Sequence, residues 1–260
     1  MMWGLAFGLY AAGKLFTWIE LRVAGPVCPK RTLVYLFLWP GMDAPAFFGK
    51  PEGFAWPDLR ESAAAITRLL LGAGLLWGVA RCVPGGHPLL TGWVGMLGMI
   101  LILHFGLFHL ASILWRATGL KAAPLMWRPA SATSLADFWG ARWNRGFHDL
   151  AHRYLFLPLK PKVGTPAAML ATFTVSGLIH EAVISVPAGG GYGGPLGYFI
   201  LQGLGLLVQR SHWSRRGGWN HGVRGWLFTM AFAAGPAFWL FHPLFVVRVI
   251  DPFMHAIHAL

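Results

Sequence analysis

The sequence predicts an all-α integral membrane protein, a multi-pass helical bundle of about 6–8 membrane helices with re-entrant or interfacial segments. Three observations predict this class. Of the 260 residues, 56% are hydrophobic and only 12% are charged, about half of the ~25% charged residues usual for a soluble domain. The mean hydropathy is +0.55. Several apolar runs approach the ~20 residues that a helix needs to cross a bilayer.

The apolar runs mark the expected elements in chain order. The piece 32–39 is too short to span and ends at Pro40 and Gly41, so it is predicted to be re-entrant or half-buried. Residues 42–59 are rich in Pro, Gly and Phe and are predicted to form an interfacial loop. Gly235 and Pro236 predict a kink in the last helix. Membrane helices are predicted at 3–19, 62–83, 89–115, 166–186, 196–209 and 225–247.

Basic residues are abundant in two loops, 116–165 and 210–224, whereas the turn 188–195 between them carries no charge. Loops rich in Lys and Arg stay in the cytoplasm, so both basic loops are predicted to be cytoplasmic and the glycine-rich turn to face outward. This arrangement explains the net charge of +12 by topology and anionic headgroups rather than by nucleic acid. We expect a multi-pass membrane protein, located in the inner membrane if the source is bacterial.

Aromatic and basic side chains recur at helical spacing over residues 137–159, which predicts one helix lying in the membrane interface. Asn144 does not fit this pattern, because Asn is a poor helix former, and both a structural and a chemical role stay open for it. His148 and His152 share a helix face, a spacing that suits a metal but also interfacial histidines, and no metal site is assigned. The remaining apolar-segment histidines are interpreted as packing or polar-seam residues: His104, His109 and His242.

His180 and Glu181 lie inside the apolar run 166–186, roughly 20 Å from its cytoplasmic end. Ionisable residues at that depth are costly, and they mark a functional site by default. Thr172, Ser176 and His180 are spaced by four and form a polar stripe that can line a cavity. A neutral imidazole there suits a general base. The alternative is structural: a hydrogen bond from His180 or Glu181 that ties this helix to a neighbour.

The segment Phe138-Trp139-Gly140-Ala141-Arg142-Trp143-Asn144, followed by the helix that carries Ser176-Gly177-Leu178-Ile179-His180-Glu181, resembles the wax synthase branch of the membrane-bound O-acyltransferase superfamily. The resemblance is strongest over residues 131–186. It implies a single domain of this type over residues 1–260, with an internal tunnel. Sterol and diacylglycerol acyltransferase relatives carry Asp and Trp where this chain has Ala141 and Arg142, which argues against those substrate classes.

The resemblance implies an enzyme that transfers a fatty acyl group from acyl-CoA to the hydroxyl of an alcohol, as in wax ester synthesis. His180 is expected to be the general base, and Asn144 to position the substrate. The expected partners are acyl-CoA as co-substrate, a lipidic hydroxyl-bearing acceptor and the lipid bilayer, with no other cofactor. The residues expected to bind substrate are Phe138, Trp139, Arg142, Trp143, Arg145, Ser176 and Glu181.

Two other classes stay open at this point. A noncatalytic polytopic membrane protein or a proton-coupled transporter accounts for the apolar helices and for the buried His180 and Glu181, although no inverted repeat is evident. A membrane di-iron desaturase or hydroxylase accounts for the 11 histidines. That class needs dense histidine clusters, and here His255 and His258 form only a sparse second pair.

Overall fold

The computed structural model describes all 260 residues, and every regular element in it is helical, which confirms the all-α class. One long helical stretch, Arg145–Ala188, is interrupted at Gly164, whose φ of 80° and ψ of 164° are not helical. The helices are α1 (Met2–Ala24), α2 (Pro29–Leu33), α3 (Ala44–Phe48), α4 (Leu59–Cys82), α5 (Pro88–Ala117), α6 (Leu135–Asp137), α7 (145–163), α8 (165–188), α9 (Gly194–Arg210), α10 (His212–Gly217), α11 (Gly222–Ala233), α12 (Ala237–Leu240) and α13 (Pro243–Ala256).

Three helical stretches are long and apolar enough to cross a membrane: α4, α5 and the joined α7 and α8. A fourth candidate is a helix pair, Gly222–Leu240 and Pro243–Ala256, which is bent by 57° at the break between its members. The predicted count of about 6–8 spans is therefore not confirmed. α9 has only 17 residues, and α1 carries three charged residues, Lys14, Glu20 and Arg22.

The chain forms two compact units. The first unit comprises residues 7–126 and 250–260, and the second unit comprises residues 1–6 and 127–249. In the first unit, α4 and α5 approach closely where two glycines face each other. A Cβ on Gly72 would lie 2.7 Å from the carbonyl oxygen of Gly98, and a Cβ on Gly98 would lie 2.8 Å from that of Gly72. Small residues of this kind let two membrane helices pack backbone to backbone.

A buried lysine in the first unit joins α1 to the segment after α2. Lys14 is 2% exposed, donates a hydrogen bond to the carbonyl of Gly41 and lies 3.4 Å from the ring centroid of Tyr35. The Tyr35 hydroxyl is hydrogen-bonded to Thr17 at 2.8 Å. The π-helical turn after α2, Val34–Leu38, is short as predicted, and its re-entrant position in the membrane stays a prediction.

A half-buried carboxylate joins α4 and α5 in the same unit. Oε1 of Glu61 accepts hydrogen bonds from Nε2 of His109 at 2.8 Å and from Nη2 of Arg116 at 2.6 Å. His109, interpreted from the sequence as a polar-seam residue, therefore has an acidic partner, and the network offsets the cost of burying charge.

In the second unit, the predicted helix over 137–159 is wrong as a single element. A π-helical turn, Phe138–Arg142, ends at an extended Trp143, Asn144 is left-handed, and α7 starts only at the next residue. Asn is one of the few residues that adopt the left-handed conformation at low cost, which explains the break at this position.

The last helix is interrupted at Gly235 and Pro236, as predicted, because α11 ends at Ala233 and α12 starts after Pro236. The larger bend lies further on, between Leu240 and Pro243. His242 has an extended ψ of 158°, the conformation that a following proline favours.

Candidate active site

Residues 127–144 form a loop that carries most of the side chains expected to bind substrate. Its ends are joined by a 2.9 Å hydrogen bond from the backbone N–H of Trp127 to the carbonyl of Arg142. After the π-helical turn, the backbone is extended at Trp143 and left-handed at Asn144, with φ at 46° and ψ at 54°. This conformation places Asn144 at the junction between the loop and α7.

The guanidinium of Arg142 is held inside this loop. Its Nε donates to Oδ2 of Asp137 at 2.5 Å, and its Nη1 donates to Oγ of Ser131 at 2.8 Å and to the carbonyl of Arg128 at 3.2 Å. Arg142 therefore organises the loop, while its expected contact with substrate stays a prediction.

Two buried glutamines of α9 hold the loop against the helices. Gln202 accepts a hydrogen bond from Nε1 of Trp139 at 3.3 Å and donates to a backbone carbonyl of α11 at 2.7 Å. Gln209 accepts from the backbone N–H of Leu135 at 2.7 Å and donates to the carbonyl of Trp219. Sequence analysis missed both residues, although two amides seven residues apart in an apolar helix were a usable signal, since they share one helix face.

An aromatic cluster links the loop to His180. The ring centroid of Trp139 lies 5.8 Å from that of Phe173 on α8 and 5.7 Å from that of Phe199 on α9. The imidazole of His180 lies only 4.3 Å from the Phe199 ring. Phe199 therefore contacts both His180 and the motif 138–144, called the loop motif below. Sequence analysis gave Phe199 no role.

The hydrogen bond of His180 shows that one of its two ring nitrogens carries a hydrogen. Its Nδ1 lies 2.7 Å from the carbonyl oxygen of Ser176, and a carbonyl can only accept, so Nδ1 carries the hydrogen. In the neutral ring Nε2 would keep its lone pair, and Nε2 has no hydrogen-bond partner in the structure. The Ser176 hydroxyl donates to the carbonyl of Thr172 at 3.0 Å. The predicted polar stripe is therefore largely bonded to its own helix.

Glu181 caps the N-terminus of α9. Its Oε1 accepts hydrogen bonds from the backbone N–H groups of Gly193 at 2.8 Å and Leu196 at 3.1 Å. Pro195 between them has no N–H to offer. A carboxylate at this position satisfies orphan donors and interacts favourably with the helix dipole. This contact matches the structural alternative, in which Glu181 ties its helix to a neighbour, and its contact with substrate stays a prediction.

Other residues of the expected binding set have different environments. Phe138 is 8% exposed and belongs to the hydrophobic core, and its ring stacks on Trp143 at 5.6 Å. Arg145 starts α7, and its guanidinium makes no hydrogen bond or ion pair. The structure thus places both Trp139 and His180 in contact with the ring of Phe199. A tunnel shared by His180 and Asn144 stays a prediction.

The two histidines of α7 pack against each other. The rings of His148 and His152 stack with centroids 5.6 Å apart, and Nδ1 of His148 lies 3.1 Å from Oδ1 of Asp149. The structure contains no group of three or more His, Cys, Asp or Glu side chains arranged to hold a metal ion.

Comparison with known families covers this same part of the chain. Residues 122–201 match the model of the membrane bound O-acyl transferase family, and they include the loop motif, His180 and Phe199. The resemblance to the wax synthase-like branch of the membrane-bound O-acyltransferase superfamily is confirmed. Membrane-bound O-acyltransferase proteins are integral membrane proteins, in agreement with the apolar helices.

Three relatives illustrate the similarity. A long-chain-alcohol O-fatty-acyltransferase of Simmondsia chinensis is 31% identical over 154 residues, which cover 54% of this chain and 44% of that protein. A probable long-chain-alcohol O-fatty-acyltransferase 7 of Arabidopsis thaliana is 32% identical over 139 residues, covering 48% and 40%. An acyl-CoA–sterol O-acyltransferase 1 of the same plant is 29% identical over 142 residues, covering 48% and 39%.

Two consequences follow from these relatives. The chain spans less than half the length of the curated relatives it matches. One of them is a sterol acyltransferase by name. The expectation that Ala141 and Arg142 argue against a sterol acceptor stays a prediction.

Proposed function

We propose that this protein is a membrane O-acyltransferase that moves a fatty acyl group from acyl-CoA to the hydroxyl of a long-chain alcohol. The observation that carries the proposal is the geometry of His180. Its Nδ1 is occupied by the Ser176 carbonyl, its Nε2 keeps a lone pair, and its ring rests on Phe199, which also contacts Trp139 of the loop motif. The names of the similar plant proteins support the reaction class.

In the proposed reaction, Nε2 of His180 takes the proton of the acceptor hydroxyl while the oxygen attacks the thioester carbon. A C–O bond forms, the C–S bond breaks, and the proton passes from the imidazolium to the thiolate, which leaves as free coenzyme A. The Ser176 carbonyl fixes the tautomer and orientation of the ring throughout. A positioned general base of this kind contributes about 10²–10⁴-fold to a rate.

The side chain of Asn144 is suited to stabilise the negative charge on the thioester carbonyl oxygen. Its side-chain amide can donate to the thioester carbonyl oxygen, where negative charge develops during the attack. Removing one such donor typically costs about 10²–10³-fold in rate. The sequence predicts this role from the family motif, and the position of Asn144 at the start of α7 keeps it next to Trp143 in the same aromatic loop.

The test is acyl transfer by purified protein in lipid nanodiscs, with labelled acyl-CoA and an acceptor panel that contains a long-chain alcohol and a sterol. His180→Ala is expected to lower ester formation by at least about 10²-fold without changing the thermal unfolding midpoint. His255→Ala is the matched control, since His255 is 61% exposed on α13. It is expected to keep wild-type activity.

Full ester formation by the His180→Ala variant would exclude the proposed base. Absence of ester formation by the wild-type protein with every acceptor would favour the noncatalytic class. The transporter alternative depended on a buried ionisable pair, and Glu181 has a helix-capping role that requires no proton path.

A further inference from the structure

A cavity of about 320 Å³ lies at the C-terminal end of α9, in the second unit. Pockets of this size are in the range used for small ligands. No carboxylate lines it, and two arginines do. Its wall consists of Ser134, Ala136, Leu206, Gln209, Arg210, Arg215 and Asn220.

The guanidinium groups of the two arginines have no partner within the protein. Neither guanidinium, of Arg210 or of Arg215, makes a hydrogen bond or an ion pair within the protein. This contrasts with Arg142, whose guanidinium is bound to Asp137 and to the loop. Two unpaired cations beside one cavity favour an anionic ligand, because guanidinium groups bind phosphate oxygens in bidentate geometry.

The neutral polar groups of the wall are also donors. Oγ of Ser134 already accepts a hydrogen bond from the backbone N–H of Asp137, so its own O–H is available. Oδ1 of Asn220 accepts from Nδ1 of His221 at 2.8 Å, which leaves the amide N–H groups. Both ends of Gln209 are used in holding the fold. The available groups are therefore all donors, as a phosphate requires.

We propose that this cavity binds a phosphate group of coenzyme A, with Arg210 and Arg215 as its ligands. The assignment to the acyl carrier rests on the proposed function. The spacing along α9 supports it, because eleven residues separate Phe199, which touches His180, from Arg210. That is about 16 Å at 1.5 Å per residue. Coenzyme A has a long pantetheine arm between its phosphates and its thioester, and such an arm suits this separation.

The proposal changes the site expected from sequence, where Arg142 and Arg145 were to bind substrate at the basic face. Arg142 is occupied by Asp137, while Arg210 and Arg215 come from the second basic loop, which sequence analysis used only for topology. Ser134, which caps the start of α6, lines the same cavity as these two arginines.

The test is equilibrium binding of radiolabelled, unacylated coenzyme A to the protein in phosphatidylcholine nanodiscs. Arg210→Gln and Arg215→Gln are each expected to weaken binding by about tenfold or more, since each removes a charge-assisted contact to phosphate. Arg216→Gln is the matched control: it removes the same charge from α10, the helix that carries Arg215, but Arg216 does not line the cavity. It is expected to bind within about twofold of wild type. Equal weakening by all three variants would overturn the proposal.

A second arm separates coenzyme A from a lipid headgroup, which offers the same phosphate chemistry. Phosphatidylglycerol replaces phosphatidylcholine in the nanodiscs. If a headgroup occupies the cavity, Arg210→Gln and Arg215→Gln will lower retention of phosphatidylglycerol and leave coenzyme A binding in phosphatidylcholine unchanged, and the assignment to the carrier fails. Weakened coenzyme A binding in both lipids supports the assignment.

Binding is measured in the His180→Ala background as well, because no turnover is needed. Arginine-dependent binding without any ester formation in wild type would contradict the proposed function and leave the phosphate site standing. If the wild-type protein forms ester and coenzyme A binding is unchanged by Arg210→Gln and Arg215→Gln, the result would contradict the phosphate site alone. Thermal unfolding of each variant verifies that the fold is retained.

Discussion

Asn144 has a left-handed backbone, with φ at 46°, and it separates the loop motif from α7. This conformation costs most residues roughly 1–2 kcal/mol, while Asn and Gly adopt it more readily. The residue type is therefore explained by the backbone before any chemistry is considered. A substitution that keeps the backbone and removes the amide is needed to separate the two roles.

Asn144→Gly is that substitution, since glycine accepts positive φ without strain. If the amide stabilises the thioester oxyanion, this variant will lose about 10²–10³-fold in ester formation at an unchanged unfolding midpoint. Asn144→Ala is expected to lose the same activity and also about 1 kcal/mol of stability, through left-handed strain. Steady-state acyl transfer and thermal unfolding measure the two effects. Wild-type activity in Asn144→Gly would mean that the amide has no chemical role.

Between elements, the junction of α8 with α9 is built from adjacent residues of the histidine motif. A Cβ on Gly177 would lie 2.9 Å from Cδ1 and 3.0 Å from Cα of Leu196, so only glycine lets the helices approach this closely. Four residues later, Glu181 caps α9. Between them, His180 rests on Phe199. The motif thus combines a close helix contact, the proposed base and a helix cap within five residues.

The capping role of Glu181 gives a prediction about stability. Glu181→Leu removes both bonds to the α9 N-terminus and is expected to destabilise the protein by about 1–2 kcal/mol. Glu181→Gln keeps a side-chain oxygen as acceptor and is expected to lose less. Thermal unfolding in nanodiscs measures both variants. If Glu181 instead contacts substrate only, both variants will unfold like wild type and the loss will appear as a raised KM.

Sequence periodicity located the long apolar elements, and the predicted start of a helix at residue 166 lies close to the break at Gly164, because apolar runs and prolines are local signals. The sequence also made His180 a candidate for the active site, since a titratable group in an apolar run is conspicuous, and that role stays a prediction. Sequence periodicity did not predict contacts between side chains that lie far apart along the chain. The bonds of Gln202 to Trp139 and of Glu61 to Arg116 span 63 and 55 residues. Periodicity shows which face of a helix is buried and does not show what lies opposite.

The structure and the charge pattern together predict how α9 is oriented in the membrane. α8 and α9 are connected by the turn 189–193, where Gly189, Gly191 and Gly193 all have positive φ. α9 is about 25 Å long at 1.5 Å per residue, shorter than the ~30 Å of a hydrocarbon core, and its crossing of the membrane is a prediction from the charge pattern. The uncharged turn and the basic loop 210–224 therefore lie at opposite ends of α9. The phosphate cavity belongs to the basic end.

Cysteine labelling tests this orientation in the whole protein. Cys28 and Cys82 are both exposed and are first replaced by Ser. Tyr192 and Trp213 are 66% and 70% exposed at the two ends of α9, and each is then replaced singly by Cys. Positive-inside topology predicts that Tyr192→Cys reacts with an impermeant maleimide on intact cells, and that Trp213→Cys reacts only after permeabilisation. The reverse pattern would put Arg210 and Arg215 on the outer face. Coenzyme A supplied from the cytoplasm would then have no route to them, so the orientation of α9 decides whether the phosphate site can serve the proposed reaction.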